Sequence, residues 1–544
     1  MQTVIPSIQE EPHRGGGLDS DKDSEAGSSY CFIVNQQLHC IPLHDISNSP
    51  NLTIPPPEQD QKSPLVTPTV AGRSSHQVDV ADFTPNKLYL KNRNLLYSLN
   101  NPSSVSDLEN ENNSNSGNTT NSSTIIVTPE LSIPSTASST SSRSPSPAEI
   151  DSQSISSSAA LYLPKLIIDL EDNLKNDFLQ LKHLLVKIFP SWSCEFISVK
   201  QLTGGITNML VSCQYKSSEP ILVRVYGQGT NLIIDRHREF ISHLMLNSIG
   251  LAPPVYARFK NGLVYGYLSG RSLEPVELGQ DWVYPLIGQQ LGNLHRTLDY
   301  RLIDQGVQKI RTLRKRRKSS IASSDGKKRY IGNIWQLLEE WIDIVPINPL
   351  LIESFNSHLE NEVTVDNLKQ VIQGELNWMK NHLENSGSPI VASHCDLLSG
   401  NIIVPEQNNT CKTSTLSVIE ENPIKFIDYE YMLPAPRGFD IANHFAEWQG
   451  FNCDRSAIPV PSITNPTMTA WVRAYLDDSQ ATDEQIKSLI DEIKLFYGMP
   501  GFYWGIWGMI QSELSLIEFD YAEYASLRLG EYWDWKSEFT NTER

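Results

Sequence analysis

His394-Cys395-Asp396-Leu397-Leu398-Ser399-Gly400-Asn401, followed after a polar insert by Phe426-Ile427-Asp428-Tyr429-Glu430, is the stretch around which the rest of the chain is organised. An Asp, an amide a few residues later and a second Asp closing an apolar run are the groups needed to orient a hydroxyl and to hold Mg²⁺ on nucleotide phosphates. Asp396 is the candidate base. Asn401 and Asp428 offer oxygen ligands suited to Mg²⁺, whose shell is completed by water and phosphate oxygens. Taken singly, each has a plainer role, since Asp and Asn in loops cap helices and shape turns. The combination is more specific: Ile390-Val391-Ala392 reads as a strand delivering His394, and Ile402-Ile403-Val404 and Ile424-Lys425-Phe426-Ile427 as a hairpin around the insert Pro405 to Asn422.

Upstream, Phe196 to Leu202, Met209 to Tyr215 and Pro220 to Tyr226 read as three strands, with Gly204-Gly205 as a tight turn that lets backbone N–H groups approach a phosphate. A plain hairpin fits the same two glycines. Arg224 lies in the third strand, and Glu239 in a helical run from Asp235 to Ile249; a strand cation paired with a helix acid anchors phosphates in kinase folds. An ordinary surface salt bridge suits Arg224 as well. Val255 to Phe259 and Leu263 to Leu268 form a further hairpin on an Asn261-Gly262 turn. Before the strands, Leu170, Leu174, Phe178, Leu181, Leu185 and Ile188 share one helix face, and Pro190 ends the run.

Downstream, Trp282 to Leu298, Ile334 to Ile344 and Leu368 to Leu383 have helical patterns, and beyond Asp440 the chain is helical and rich in Trp and Tyr. Trp504 and Trp507 lie three apart, as do Tyr521 and Tyr524. Aromatic faces hold an ammonium with ~0.5–2 kcal/mol per ring, and a carboxylate such as Glu447 adds attraction. Such a stripe is by default core packing.

From Met1 to Ser158 the composition is Ser, Asn, Thr and Pro, which buries too little apolar surface to offset ordering entropy and is expected to be disordered. Two islands interrupt it, Tyr30 to Ile41, with the pattern of a short strand, and Lys87 to Leu99. Ser63-Pro64, Thr67-Pro68, Ser144-Pro145 and Ser146-Pro147 are candidate phosphorylation sites that chance also supplies in such a tail. The basic run Arg314-Lys315-Arg316-Arg317-Lys318-Ser319-Ser320 is either a solvated loop or a site where a regulatory basophilic kinase modifies Ser319.

A formal charge of -19 over 544 residues argues against a nucleic-acid or anionic-membrane binder, which needs a positive field. Seven scattered cysteines form no CxxC pair and suit a reducing compartment. No basic-then-apolar leader opens the sequence, and the most apolar window, Met499 to Ile510, falls short of the roughly 20 residues of a membrane span. The expectation is a soluble, cytoplasmic protein.

Together, His394 to Asn401, Phe426-Ile427-Asp428-Tyr429-Glu430-Tyr431, Phe439-Asp440-Ile441-Ala442-Asn443-His444-Phe445-Ala446-Glu447-Trp448 and Trp504-Gly505-Ile506-Trp507 resemble the choline/ethanolamine kinase family, over about Phe196 to Trp533. The resemblance implies an α+β, two-lobed, protein-kinase-like fold: an N-terminal antiparallel sheet lobe at 159–270 that binds nucleotide and a mainly helical C-terminal lobe at 271–544, with a basic loop insert at 305–330, preceded by the disordered 1–158. It implies ATP and Mg²⁺ as cofactors and a small amino alcohol as substrate, and it admits a homodimer.

Carried over by residue, Asp396 matches the family's base, with His394 orienting its loop, and Asn401 and Asp428 match the metal ligands. Gly204, Gly205, Asn208, Arg224 and Glu239 match the nucleotide site. Tyr431, Glu447, Trp504, Trp507, Phe519 and Tyr524 match the substrate pocket. Gly204-Gly205-Ile206-Thr207-Asn208, the compact link from Ile221 to Arg236, and Asn443-His444-Phe445 followed by Gly450 look closest to the ethanolamine branch, which makes phosphoethanolamine for phosphatidylethanolamine synthesis. Choline kinase, or a dual enzyme, is the alternative. Pro434-Ala435-Pro436 and Asn452 depart from the family pattern at the pocket's edge.

Overall fold

Cys31 and Ile33 face one core while Tyr30 and Phe32 face another, so strand β1 (Ser29–Val34) has both faces covered and reads as a continuous apolar run rather than an alternating one. It belongs to an eight-stranded sheet in the computed structural model, which describes residues 27–34, 36–43, 159–202, 208–227, 229–316, 330–404, 422–515 and 517–542. The other strands are β2 (Gln37–Pro42), β3 (Ala159–Leu163), β4 (Ile197–Gln201), β5 (Asn208–Tyr215), β6 (Ile221–Tyr226), β7 (Val255–Phe259) and β8 (Gly262–Gly266), in the spatial order β2-β1-β3-β7-β8-β6-β5-β4. Every pairing is antiparallel except β3 with β7, so the sheet is mixed rather than purely antiparallel.

Four readings of the sequence change here, the first being the loop expected at 305–330, which is helix as far as Arg316 because Val307 and Ile310 are buried in the core. The Tyr30 to Ile41 island is a hairpin whose first strand pairs with β3, so the sheet reaches back into the 1–158 segment expected to stand outside it. The helix expected from Leu170 to Ile188 is two helices, α1 (Leu170–Lys175) and α2 (Leu179–Ile188). Asp177 and Phe178 between them have positive φ, and the Asn173 side chain accepts from Leu181 N–H at 3.1 Å across the break. Finally, two cysteines read as scattered, Cys31 and Cys40, face each other across the hairpin with sulfurs 3.0 Å apart.

Helix α2 covers one face of the sheet with Leu181, Leu184, Leu185 and Ile188. Helix α3 (Arg236–Ser248) covers the other with Phe240, Ile241 and Leu244, and Asp235 caps it by accepting from His237 and Arg238 N–H. The expected Asn261-Gly262 turn joins β7 to β8, where a Cβ on Gly262 would meet the Phe259 ring at 2.1 Å. Beyond β9 (Arg271–Ser272) the chain is mainly helical: α4 (Tyr284–Thr297), α5 (Tyr300–Arg316), α6 (Ile334–Ile344), α7 (Pro349–Asn356), α8 (Leu368–Leu383), α9 (Arg437–Ala446), α10 (Pro466–Leu476), α11 (Asp483–Leu495), α12 (Met499–Leu514) and α13 (Tyr521–Thr542). Two small sheets are set among them, β10 (Ile390–Ser393) with β13 (Leu433–Pro436), and β9, β11 (Ile402–Val404) and β12 (Lys425–Phe426). The molecule is therefore α+β, a sheet lobe followed by a helical lobe. Gly204, Gly205, Ser319, the Lys87 to Leu99 island and the Ser-Pro and Thr-Pro sites lie outside the described residues.

Candidate active site

Strand β10 ends at Ser393, and the chain then turns through Cys395 at φ 61°, a left-handed conformation costly for a residue with a Cβ. Helix α9 holds the turn in place. Asp440 accepts from the N–H of His394 at 2.9 Å and of Cys395 at 2.8 Å, Asn443 Nδ2 donates to the Cys395 carbonyl at 3.1 Å, and His444 Nδ1 lies 2.9 Å from the Leu397 carbonyl. Burial alone would raise the Asp440 pKa, but His295 Nε2 at 2.9 Å and the loop N–H groups outweigh it and hold the carboxyl below its usual value. Burial pushes His444 down to about 4, so it is neutral at physiological pH.

Within the loop, Asn401 closes one turn of 3₁₀ helix, and its Nδ2 donates to the Asp396 carbonyl at 2.8 Å and to Asp396 Oδ2 at 3.0 Å. With that nitrogen committed, the amide oxygen is the atom it can present to a cation. Asp428, which follows β12, also has a positive φ of 66°. His394 bridges the two loops: its Nε2 is 3.1 Å from the Ile427 carbonyl, and burial lowers its pKa. Its Nδ1 is buried without a hydrogen-bond partner among the described residues.

The expected pair of Arg224 with Glu239 is not formed. Arg224 Nη1 is 2.6 Å from Asp428 Oδ1 and its Nη2 is 2.7 Å from Glu430 Oε2. Glu430 also takes Arg236 Nη1 at 2.8 Å, and it is Arg236 that meets Glu239, at 3.0 Å. Strand and helix are thus linked by the relay Arg224, Glu430, Arg236, Glu239, because Arg236 opens α3 one turn before Glu239 and intercepts its carboxylate. Burial favours protonation of Asp428, yet Arg224 beside it holds the pKa below the ordinary aspartate value. Glu430 goes the other way: burial raises its pKa, and the two guanidiniums do not fully offset that. The backbone of Asn208 opens β5 opposite Tyr226.

The aromatic residues expected to form a pocket make one edge-to-face chain. Tyr431 and Trp504 have ring centroids 5.9 Å apart, Trp504 and Trp507 5.2 Å, Trp507 and Tyr521 5.8 Å, Tyr521 and Phe519 4.8 Å, and Phe519 and Tyr524 5.8 Å. Trp507 Nε1 donates to the Tyr431 hydroxyl and Trp504 Nε1 to Asn443 Oδ1, both at 2.8 Å. One amide, Asn443, therefore ties the aromatic wall to the turn beside Asp396. Glu447, at the end of α9, is bound by a residue the sequence did not single out: Arg528 Nη1 donates to Glu447 Oε1 at 3.1 Å and to the Tyr524 hydroxyl at 3.0 Å. Asp440, Asn443 and His444 were also missed as functional residues, although polar residues at spacings of three and four in the otherwise apolar Phe439 to Phe445 are a signal. They form a polar face that is buried instead of solvated.

Residues 199–533 match the family model for choline/ethanolamine kinase. The chain belongs to that family. Human ethanolamine kinase 1 is 30% identical over 366 residues, 66% of this chain and 71% of its own length. Drosophila melanogaster ethanolamine kinase is 32% identical over 324 residues, 59% of this chain and 55% of its own. A solved Plasmodium vivax ethanolamine kinase covers 68% of this chain and 90% of its own, with 24% identity and a TM-score of 0.49. Membership in the choline/ethanolamine kinase family makes the chain a kinase that transfers phosphoryl groups from ATP, as its sequence motifs led one to expect. Strands β1 to β3 lie outside the matched residues.

Proposed function

We propose that the chain transfers the γ-phosphoryl group of ATP to the hydroxyl of ethanolamine, giving phosphoethanolamine. The observation that carries this is Asn443, whose side chain bonds both the Cys395 carbonyl, one residue before Asp396, and the indole of Trp504. A carboxylate base and a wall of aromatic edges and faces are thereby set against one another, which suits a substrate with a hydroxyl at one end and an ammonium at the other. The ethanolamine kinases among its relatives support the choice of alcohol.

In this reading Asp396 accepts the hydroxyl proton as the oxygen attacks phosphorus, and Asn401 and His394 hold the loop that carries it. Tyr431, Trp504, Trp507, Phe519 and Tyr524 surround the ammonium, and Glu447 adds a negative charge. Arg224 lies on the phosphate side, oriented by Glu430. The amide oxygen of Asn401 and the carboxylate of Asp428 fit Mg²⁺: they are hard oxygen donors, and among the described residues no group of three or more His, Cys, Asp or Glu converges as a dedicated protein cage would. When bound there, Mg²⁺ supplies neutralisation of the phosphate charge. No described helix is long and apolar enough to cross a membrane; action in the cytoplasm belongs to the same reading. The test is ATP-dependent formation of phosphoethanolamine by the parent and its loss, by roughly 10²–10⁴-fold, in Asp396→Asn; equal turnover in both would refute the assignment.

A further inference from the structure

Arg528 sits on α13 between two acids and a phenol. Its side chain is fully buried; beyond the bonds to Glu447 and Tyr524, its Nε lies 2.9 Å from Glu531 Oε1. Stability does not account for it. Burying a guanidinium costs several kcal/mol of desolvation, and its Nη2 is buried without a hydrogen-bond partner among the described residues, a further cost. A cation beside an ammonium site also repels the ligand unless acids outnumber it. Here they do, because two acids, Glu447 and Glu531, flank the single guanidinium.

We infer that Arg528 is a positioning residue for the substrate's head group: it locks Glu447 and Tyr524 to each other. It rests on the assignment of Glu447 and Tyr524 to the amino-alcohol pocket proposed above. One Glu447 oxygen is committed to Arg528, which leaves the other to accept an N–H. A primary ammonium has that N–H to give, and a trimethylammonium does not, so the link favours ethanolamine over choline.

The experiment is steady-state kinetics of the full chain at saturating MgATP with ethanolamine and with choline. Arg528→Met is expected to raise the ethanolamine KM about tenfold, to change kcat by less than about threefold, and to narrow the preference for ethanolamine. Arg528→Met combined with Glu531→Gln removes both members of the Arg528–Glu531 pair without restoring the link, and its KM is expected to stay raised. Recovery of the parent KM in that double variant would overturn the positioning role, as would an unmoved KM, or a parallel loss of kcat and both affinities with a lowered Tm. Should Arg528→Met fail to fold, Tyr524→Phe keeps the ring and removes only the hydroxyl on Nη1: a rise of about threefold in the ethanolamine KM that exceeds any change in kcat supports the role, and no rise overturns it. A parent that turns over neither amino alcohol would sink the proposed function itself, whereas an active parent with unmoved variants sinks only the role of Arg528.

Discussion

The carboxylate of Asp440 accepts the N–H of Cys395 at 2.8 Å, and Cys395 is the residue of the site loop that carries a positive φ. The strained turn next to Asp396 is thus held by a fully buried acid from α9, itself held by His295. Asp440→Asn keeps one acceptor and turns an N–H₂ toward a donor. Losing a charge-assisted bond is worth about 1.5–3 kcal/mol, so kcat is expected to fall roughly 10- to 100-fold, read by steady-state turnover. The folded pKa of Asp440 lies below its unfolded value, so its contribution is fully present above the ordinary aspartate range, about 3.9, and is lost as pH falls through the lower folded value. Thermal stability is accordingly expected to show no step from this group between pH 6 and 8, and a pH titration of Tm checks it.

The two tryptophans of α12 should separate kinetically. Trp504 is bonded to Asn443 and through it to the loop, whereas Trp507 is bonded to Tyr431 within the aromatic wall. Trp504→Phe removes one hydrogen bond worth about 1 kcal/mol and is expected to lower kcat several-fold. Trp507→Ala removes one ring, ~0.5–2 kcal/mol, and is expected to raise the amino-alcohol KM roughly 2- to 30-fold with less effect on kcat. Equal effects of both on the same parameter would contradict the division.

What was legible in the sequence was what is local. Asp396, Asn401 and Asp428 were readable because short apolar strands flank them, and β5, β6, β7 and β8 because alternation and an Asn-Gly turn mark them. Pairings between distant segments were not readable. Arg224 was matched with Glu239 by analogy, and nothing in the spacing shows that Arg236, one turn earlier, takes that acid. Arg528 drew no reading from the sequence, since its guanidinium's partner Glu447 lies 81 residues away. The Tyr30 to Ile41 island showed the pattern of a strand, but its internal turn and its pairing with β3, far along the chain, were not readable.

Glu430 is the residue on which both guanidiniums of the relay converge. Glu430→Gln removes the charge that orients Arg224 and Arg236 together, and the KM for MgATP is expected to rise about tenfold while the amino-alcohol KM moves little. Glu239→Gln touches Arg236 alone and should have the smaller effect. Nucleotide titrations of both variants decide this, and the reverse order would break the relay account.

The N-terminal hairpin is part of the fold. Cys31, Ile33 and Leu38 are buried with Phe240, Ile241 and Leu244, and Lys309 Nζ reaches the Leu38 carbonyl at 2.6 Å. Removing residues 1–43 strips at least three buried apolar side chains at about 1.5–3 kcal/mol each, so Tm is expected to drop by roughly 5–10 °C. Calorimetry of the shortened chain showing an unchanged Tm would place the hairpin outside the cooperative unit.

The central claim is that the site turns over a primary amino alcohol. A single reaction containing MgATP and equal concentrations of ethanolamine and choline, with both phosphorylated products quantified, measures the ratio of the two kcat/KM values directly. Phosphoethanolamine in excess by about tenfold or more is the predicted result; phosphocholine in excess, or neither product, would contradict it.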